Sequence, residues 1–278
     1  MKDELFQKLR SKRLEAFKIF QDPDYSGVFD FIKDLYKKKA HFIYELLQNA
    51  DDAKATRVKF VLHSDRLVFI HNGTEKFSIS DVDSTNKVKG HINSITSIGA
   101  STKSGKISDE DLKIGKFGIG FKSVFSFTKT PEIFDDEFCF RIVNYIVPEI
   151  LSYDYEGRKS CETVFVFPFN NDEKPKDIAY EEIKSELLSL KHPMLFLNSI
   201  TVIEWQYPGM SGSYSLNYDQ ASSEQMDETE YRFFTETQIS DSHLVKQGIK
   251  ISRYIKDNEN NSHKYSLVFF LRDKSIDY

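Results

Sequence analysis

The stretch around which this sequence is organised reads Glu45-Leu-Leu-Gln-Asn49-Ala-Asp-Asp52-Ala53. Its apolar residues, together with those just before it, recur at intervals of three and four, which is the spacing of one face of an α-helix. The pattern predicts a helix that begins near Ala40 and ends near Ala55. The apolar stripe of this helix consists of Phe42, Ile43, Leu46, Leu47, Ala50 and Ala53.

Three polar residues of the same helix are spaced so that they share a different side. Glu45, Asn49 and Asp52 lie four and three positions apart and therefore point at one volume. A carboxylate can activate a water, an amide oxygen can ligate a hard cation, and a second carboxylate can accept a hydrogen bond. These groups suit metal-assisted hydrolysis, but a solvated polar face explains the helix alone equally well.

The remaining pattern predicts helices and strands on both sides of this helix. Periodicity indicates further helices at 2–20, 28–38 and 178–190, and a short helical interval at 90–98 within a long functional loop at 72–120. Two runs rich in β-formers around Ser64-Asp65 indicate a hairpin. The expected strands are 57–63, 66–71, 138–143, 163–167, 200–206, 231–235, 249–254 and 265–271.

A glycine-rich turn follows the long loop and reads Ile114-Gly-Lys-Phe-Gly118-Ile-Gly120-Phe121-Lys-Ser123. Glycines let backbone N–H groups approach a phosphate, and a following helix N-terminus favours negative charge. The turn lacks the GK[ST] ending of a P-loop and the βαβ context of a Rossmann unit. Taken alone it fits either a phosphate-binding turn or an ordinary turn.

Ahead of that turn lies the small-residue segment Ser97-Ile-Gly99-Ala-Ser101-Thr102-Lys103-Ser-Gly105. Such a segment suits a lid that closes over a bound polyphosphate, with Lys103 as the charge partner. A disordered surface loop is the plainer interpretation.

Composition narrows the class of protein. The chain has 278 residues, which is enough for a sizeable core, and its net charge of −5 gives no global reason to expect nucleic-acid binding. Cys139 and Cys161 match no zinc or redox spacing, so we expect both to be small core residues in a reducing compartment. The charged amino terminus and the absence of an apolar run of ~18 residues predict a cytoplasmic protein without a membrane span.

Together and in this order, the motifs at 45–53, 71–73, 97–105 and 114–124 resemble the GHKL ATPase superfamily, in its heat-shock-chaperone-like branch and closest to sacsin-type ATP-binding domains. The resemblance implies an α+β Bergerat fold, a two-layer α/β sandwich with a mixed sheet. It also implies a GHKL ATP-binding domain over 1–207, including the helical segment 1–38. Residues 208–278 would form a β-rich extension or the start of a second domain.

The resemblance also implies roles for individual residues, with ATP and Mg²⁺ as cofactors. Glu45 would be the general base, Asn49 would ligate Mg²⁺, and Asp52 would line the nucleotide pocket. Thr163 matches the strand threonine that supports adenine recognition through a water. The full set expected at the nucleotide is Asn49, Asp52, His71, Asn72, Gly73, Ser101, Thr102, Lys103, Gly115, Lys116, Phe117, Gly118, Ile119, Gly120, Phe121 and Thr163.

One position departs from the family pattern. Relatives place an aspartate two residues before the glycine of the adenine box, where it accepts the adenine amino group, and this chain has His71 before Asn72 and Gly73. A neutral acceptor contacts that amino group more weakly than a carboxylate does. A structural histidine at a strand end is the alternative interpretation.

These observations predict a Mg²⁺-dependent ATP-binding module, a slow ATPase, in a chaperone-like or remodelling protein. By analogy, nucleotide would close the lid and promote a homodimer, with the 2–20 helix as the exchanged element. A protein client or a partner domain is expected, and a membrane is not. The alternatives are an ATPase module of a DNA-transaction or defence system, and a nucleotide-binding switch without hydrolysis.

Overall fold

The fold is taken from a computed structural model that describes residues 2–24, 27, 42–84, 89–97, 121–219, 224–226, 229–256, 262–272 and 275–276. The predicted helices at 2–20, 40–55 and 178–190 are confirmed, as is the short interval near 90–98, whereas the one at 28–38 lies outside the described residues. The helices are α1 (Lys2–Gln21), α2 (Phe42–Asp52), α3 (His91–Ile95) and α4 (Lys176–Leu188), and a 3-10 turn spans Phe121–Ser126.

Strands make up most of the described structure. The predicted hairpin is confirmed, with Phe60 opposite Phe69 in its register. The strands are β1 (Arg57–Leu62), β2 (Arg66–His71), β3 (Glu132–Phe134), β4 (Cys139–Val143), β5 (Val147–Ile150), β6 (Thr163–Pro168), β7 (Val202–Tyr207), β8 (Met210–Tyr218), β9 (Glu224–Met226), β10 (Thr229–Ile239), β11 (His243–Lys256), β12 (Ser262–Arg272) and β13 (Ser275–Ile276).

All thirteen described strands belong to one sheet. Its order is β13-β12-β11-β10-β8-β7-β1-β2-β6-β3-β4-β5, and β9 pairs with β10. The sheet is mixed because β1 and β7 run parallel, while the other described pairs are antiparallel. The site residues of α2 and β2 therefore lie near the middle of a long sheet.

The expected fold class, an α+β two-layer sandwich with a β-rich extension, is wrong for the described residues. They form a single large mixed sheet with few helices. Alternating hydrophobicity predicts strands but does not say which edge they join. The turn at Gly209, where φ is 85°, folds β8 back onto β7, and the later strands extend the same sheet. The division of the chain at residue 207 stays a prediction.

One face of the sheet carries the main core and the helices, and we call it the helix face. Strand residues such as Phe60, Phe69 and Phe165 share one buried cluster with Leu46 and Leu47 of α2. Phe42, at the start of α2, has its ring 6.5 Å from the ring of Phe167 in β6. The opposite face has a smaller cluster of Val68, Phe134, Val164 and Val166.

Helix α1 is docked onto the same unit. Its buried residues are Phe6 and Leu9, and Phe6 contacts the rings of Phe138 and Phe140. Arg13 Nη2 donates to the Asn93 carbonyl at 2.9 Å. These contacts fix α1 beside α3, so an exchange of α1 between subunits would have to break them.

Two smaller expectations are settled by exposure and length. Cys139 is half-buried but Cys161 is exposed, so the prediction that both are core residues is wrong for Cys161. Among the helices that the structure describes, none combines the length and the apolar character needed to cross a membrane.

Candidate functional site

Helix α2 is anchored by an aspartate that the sequence did not single out. Asp51 is buried, and its carboxylate accepts backbone N–H groups from Asn198 at 2.9 Å, Ser199 at 2.6 Å and Ile200 at 3.2 Å. The partners are almost 150 residues away, so local periodicity gives no signal for them. These bonds tie the end of α2 to the loop before β7 and fix which way the helix faces.

Asn49 lies on the buried side of α2. Its side chain is 6% exposed, and its amide Nδ2 has no hydrogen-bond partner among the described residues. A buried amide without a partner is unfavourable by about 1–3 kcal/mol, so such groups in native proteins usually meet a ligand, an ion or a water. Asn49 is therefore not part of a solvated polar face.

Glu45, one turn earlier, is half-buried, and the structure gives its carboxylate no hydrogen-bond or ion-pair partner within the described ranges. Asp52, in contrast, is exposed and accepts a hydrogen bond from Gln48 Nε2 at 3.1 Å. The three polar residues of the helix therefore differ in their burial and their hydrogen bonding. Glu45 and Asn49 suit a shared site, while the role of Asp52 at a nucleotide stays a prediction.

His71 ends β2 on the helix face. Its ring lies 5.9 Å from Phe69 and 5.8 Å from Phe165, and the residue is 5% exposed. Its Nδ1 accepts the Gly73 N–H at 3.0 Å. Burial, with a smaller contribution from the nearby Lys76 charge, lowers the pKa of His71 to about 3. The ring is therefore neutral near pH 7.

Gly73 fits where no side chain would. A Cβ at this position would lie 2.7 Å from the Ala53 carbonyl oxygen and 2.8 Å from His71 Nδ1. The same Ala53 carbonyl accepts the Glu75 N–H at 3.2 Å. The loop after β2 is thus held against the end of α2.

The side chain of Asn72 is committed to the protein itself. Its Oδ1 accepts the N–H groups of Thr56 at 3.0 Å and Arg57 at 2.9 Å, and its Nδ2 donates to Thr56 Oγ1 at 2.9 Å. This network braces the junction between α2 and β1. A contact between Asn72 and nucleotide stays a prediction.

Thr163 begins β6 directly opposite His71 in the antiparallel pair, so both side chains lie on the helix face. Thr163 is 1% exposed, and its Oγ1 has no hydrogen-bond partner among the described residues. Two predicted site residues, Asn49 and Thr163, thus carry buried polar atoms that the described protein does not satisfy.

These groups lie at the same end of the sheet. Helix α2 begins at the Phe167 end of β6 and ends beside Gly73, next to His71 and Thr163. Asn49 is one turn before that end, because its carbonyl accepts the Ala53 N–H at 3.0 Å. Asn49 is therefore one turn away from the end of α2 at which His71 and Thr163 lie.

Phe121 is described, but most of the glycine-rich turn and the lid is not. The Phe121 ring is buried 6.1 Å from Phe165 and 6.3 Å from Phe167, so it is a core residue. The other expected nucleotide contacts lie outside the described residues and stay predictions. They are Ser101, Thr102, Lys103, Gly115, Lys116, Phe117, Gly118, Ile119 and Gly120.

Lys122, next to Phe121, is a buried lysine whose importance the sequence did not reveal. Its Nζ donates to the Tyr145 carbonyl and lies 5.4 Å from the centre of the Phe125 ring. Burial, with the Arg13 charge adding to it, holds the pKa of Lys122 well below its usual range. The residue braces the 3-10 turn from inside the protein.

The described residues contain no cluster of three or more His, Cys, Asp or Glu side chains able to hold a metal ion. Mg²⁺ is commonly held by one or two protein oxygens together with substrate phosphates, an arrangement that needs no such cluster.

Comparison with known proteins identifies the stretch that carries most of these residues. Residues 28–144 match the sacsin domain. The chain is 32% identical over 140 residues to protein NO VEIN of Arabidopsis thaliana. The matched stretch covers 46% of this chain and 5% of that protein. The chain is also 32% identical over 147 residues to sacsin of Homo sapiens. This second matched stretch covers 48% of this chain and 3% of that protein.

The sacsin-type relationship expected from the motifs is therefore confirmed, and the chain spans a small fraction of either relative. The sacsin-type region, residues 28–144, contains α2, β1 and β2 with Glu45, Asn49 and His71. Thr163 lies beyond it and reaches the same region through the pairing of β6 with β2.

Proposed function

We propose that this chain is a Mg²⁺-dependent nucleotide-binding module of the GHKL type, which binds ATP and hydrolyses it slowly within a chaperone-like or remodelling protein. The observation that carries the proposal is that Asn49, on the helix that presents Glu45, and Thr163, on the strand paired with the end of β2, both hold buried polar atoms without a partner among the described residues. The sacsin-type relationship of residues 28–144 supports it.

The energetics favour a ligand at these atoms. Each buried polar atom without a partner is unfavourable by about 1–3 kcal/mol, and two lie on opposing elements, α2 and β6. Ligand atoms or waters that hydrogen-bond these groups would recover that free energy. The apolar stripe of α2 and the Asp51 anchor meanwhile hold the helix in place, so the site would be largely preorganised.

The proposed roles follow from the chemistry of each side chain. Asn49 would bind the cation through its amide oxygen, and Mg²⁺ supplies stabilisation of charge on the phosphate oxygens when bound. The Glu45 carboxylate is placed one turn away to orient a water and accept its proton. Thr163 would support the base through a water. The glycine-rich turn at 115–120 and Lys103, outside the described residues, are proposed to contact the phosphates.

Equilibrium titration with ATP, with and without Mg²⁺, tests the binding step. We expect Asn49→Ala to weaken Mg²⁺-dependent ATP binding at least about tenfold, because it removes the proposed cation ligand. Gln48→Ala is the matched control, since it alters the adjacent residue of the same helix and should bind ATP like wild type. Full Mg²⁺-dependent affinity in Asn49→Ala would remove the metal assignment.

The larger context of the module is also a proposal. Nucleotide-dependent homodimerisation and a protein client or partner domain would follow from a chaperone-like role. Sedimentation velocity with Mg²⁺ and a non-hydrolysable ATP analogue tests the dimer. A monomer under saturating nucleotide would argue against it.

A further inference from the structure

His71 has two ring nitrogens, and the structure assigns a role to each. Nδ1 accepts the Gly73 N–H at 3.0 Å, and the loop that follows Gly73 is tied to the end of α2 by the hydrogen bond from the Glu75 N–H to the Ala53 carbonyl. A neutral imidazole carries one hydrogen, so when Nδ1 accepts, that hydrogen is on Nε2. Nε2 is therefore a hydrogen-bond donor.

That assignment holds throughout the physiological pH range. The ring is enclosed by Phe69 and Phe165, and the one described charge that acts on it is that of Lys76, which disfavours a second proton. A carboxylate in contact with the ring would favour its charged form, and none of the described residues provides one, since burial and the Lys76 charge are the influences on His71. His71 thus presents an N–H group and no lone pair.

The polar residue opposite His71 in the sheet is also able to donate. The Thr163 hydroxyl can donate one hydrogen, and its Oγ1 is buried without a partner among the described residues. The buried wall that His71 and Thr163 form therefore matches a ligand edge that offers acceptors.

We propose that the base subsite favours 6-oxopurine nucleotides, such as GTP or ITP, over ATP. The inference rests on the proposed nucleotide site and names its substrate class. Adenine carries an amino group at position 6, which would face the Nε2–H of His71 donor to donor. Guanine and hypoxanthine carry an oxygen there, which accepts that hydrogen.

A donor that faces a donor leaves both groups without a partner, and such mismatches discriminate strongly between otherwise similar ligands. We expect ITP to bind at least about fivefold more tightly than ATP. ITP is the sharper probe, because it differs from ATP only in the oxygen at position 6 and the hydrogen on the adjacent N1, and it lacks the 2-amino group of GTP.

The test is competition between Mg²⁺ complexes of ITP, GTP and ATP for the full chain, read by fluorescence anisotropy of a labelled nucleotide. Tighter binding of ITP and GTP supports the inference. ATP binding equal to or tighter than ITP overturns it and leaves the proposed nucleotide site intact. If none of the three binds, the proposed function fails, and this inference fails with it.

Two variants of His71 test whether the residue acts on the base as a hydrogen-bond donor or as an acceptor. His71→Asp supplies a carboxylate that can accept both from Gly73 and from an amino group, so it should reverse the preference toward ATP. His71→Gln keeps an N–H donor near the Nε2 position and should retain the preference for ITP. Circular dichroism confirms folding of both, and an unchanged ITP-to-ATP ratio in a folded His71→Asp overturns the inference.

Discussion

Replacing Asp51 tests whether α2 is held by its aspartate anchor. The Asp51→Ala variant removes the acceptor of four donor groups, namely the backbone N–H and side-chain amide of Asn198 and the backbone N–H groups of Ser199 and Ile200. Hydrogen bonds to a charged group contribute about 1.5–3 kcal/mol each, but they are not additive. Most of these bonds are only partly buried, so water can replace some of them, and we expect a loss of about 2–4 kcal/mol.

Urea denaturation followed by circular dichroism measures that loss as a lower midpoint. Asp52→Ala is the matched control, because Asp52 is the adjacent residue of the same helix but is exposed. Its effect should stay within about 0.5 kcal/mol, as for most surface substitutions. If Asp51→Ala loses less than about 1 kcal/mol, or if both variants lose equally, the anchoring role assigned to Asp51 is refuted.

Three further predictions concern packing and buried titratable groups. Gly73→Ala should lower stability by about 1–3 kcal/mol because its Cβ meets the Ala53 carbonyl at 2.7 Å, whereas Gly27→Ala, with nothing within 4 Å, should be neutral in the same thermal unfolding experiment. The pKa of His71 falls from 6.5 to about 3 on folding. The contribution of its neutral side chain to the free energy of unfolding is therefore fully present above pH 6.5, and up to about 5 kcal/mol is lost as the pH falls toward 3. His71→Gln should flatten that loss in pH-dependent denaturation, and an unchanged slope would contradict it. The pKa of Lys122 is also lowered by burial, so Lys122→Met should gain stability relative to wild type as pH falls from 10 to 7, and a constant difference would argue against a buried lysine.

Local pattern predicted the helix and the hairpin that carry the site. The apolar stripe of α2 lies against the sheet, and β1 and β2 pair in register on either side of Ser64-Asp65. These elements depend on residues close together in sequence, where periodicity is informative. The motifs likewise predicted the sacsin-type relationship.

The arrangement of the strands could not be predicted in the same way. The β-rich runs after Pro208 were expected as an extension, but β8 joins β7, and β10 to β12 continue the same sheet. Strand pairing is decided by contacts distant in sequence and by turns such as that at Gly209. The Asp51 anchor was missed for the same reason, because its partners at 198–200 are remote.

The sequence predicted which residues lie at the site, but not their burial, their hydrogen bonding or their tautomer. Asn49 and Thr163 were predicted site residues, but their lack of partners depends on burial that only the fold reveals. His71 was recognised as a departure with two open interpretations. Its tautomer follows from the Gly73 N–H, which no sequence pattern specifies.

Phosphate release by wild type and Glu45→Ala, with Mg²⁺·ATP at saturating concentration, tests the central claim most directly. If Glu45 orients the attacking water, the variant should bind ATP with similar affinity but release phosphate at least about a hundredfold more slowly. Gln48→Ala, on the same helix, should retain the wild-type rate. Equal phosphate release by wild type and Glu45→Ala would contradict the proposed ATPase site.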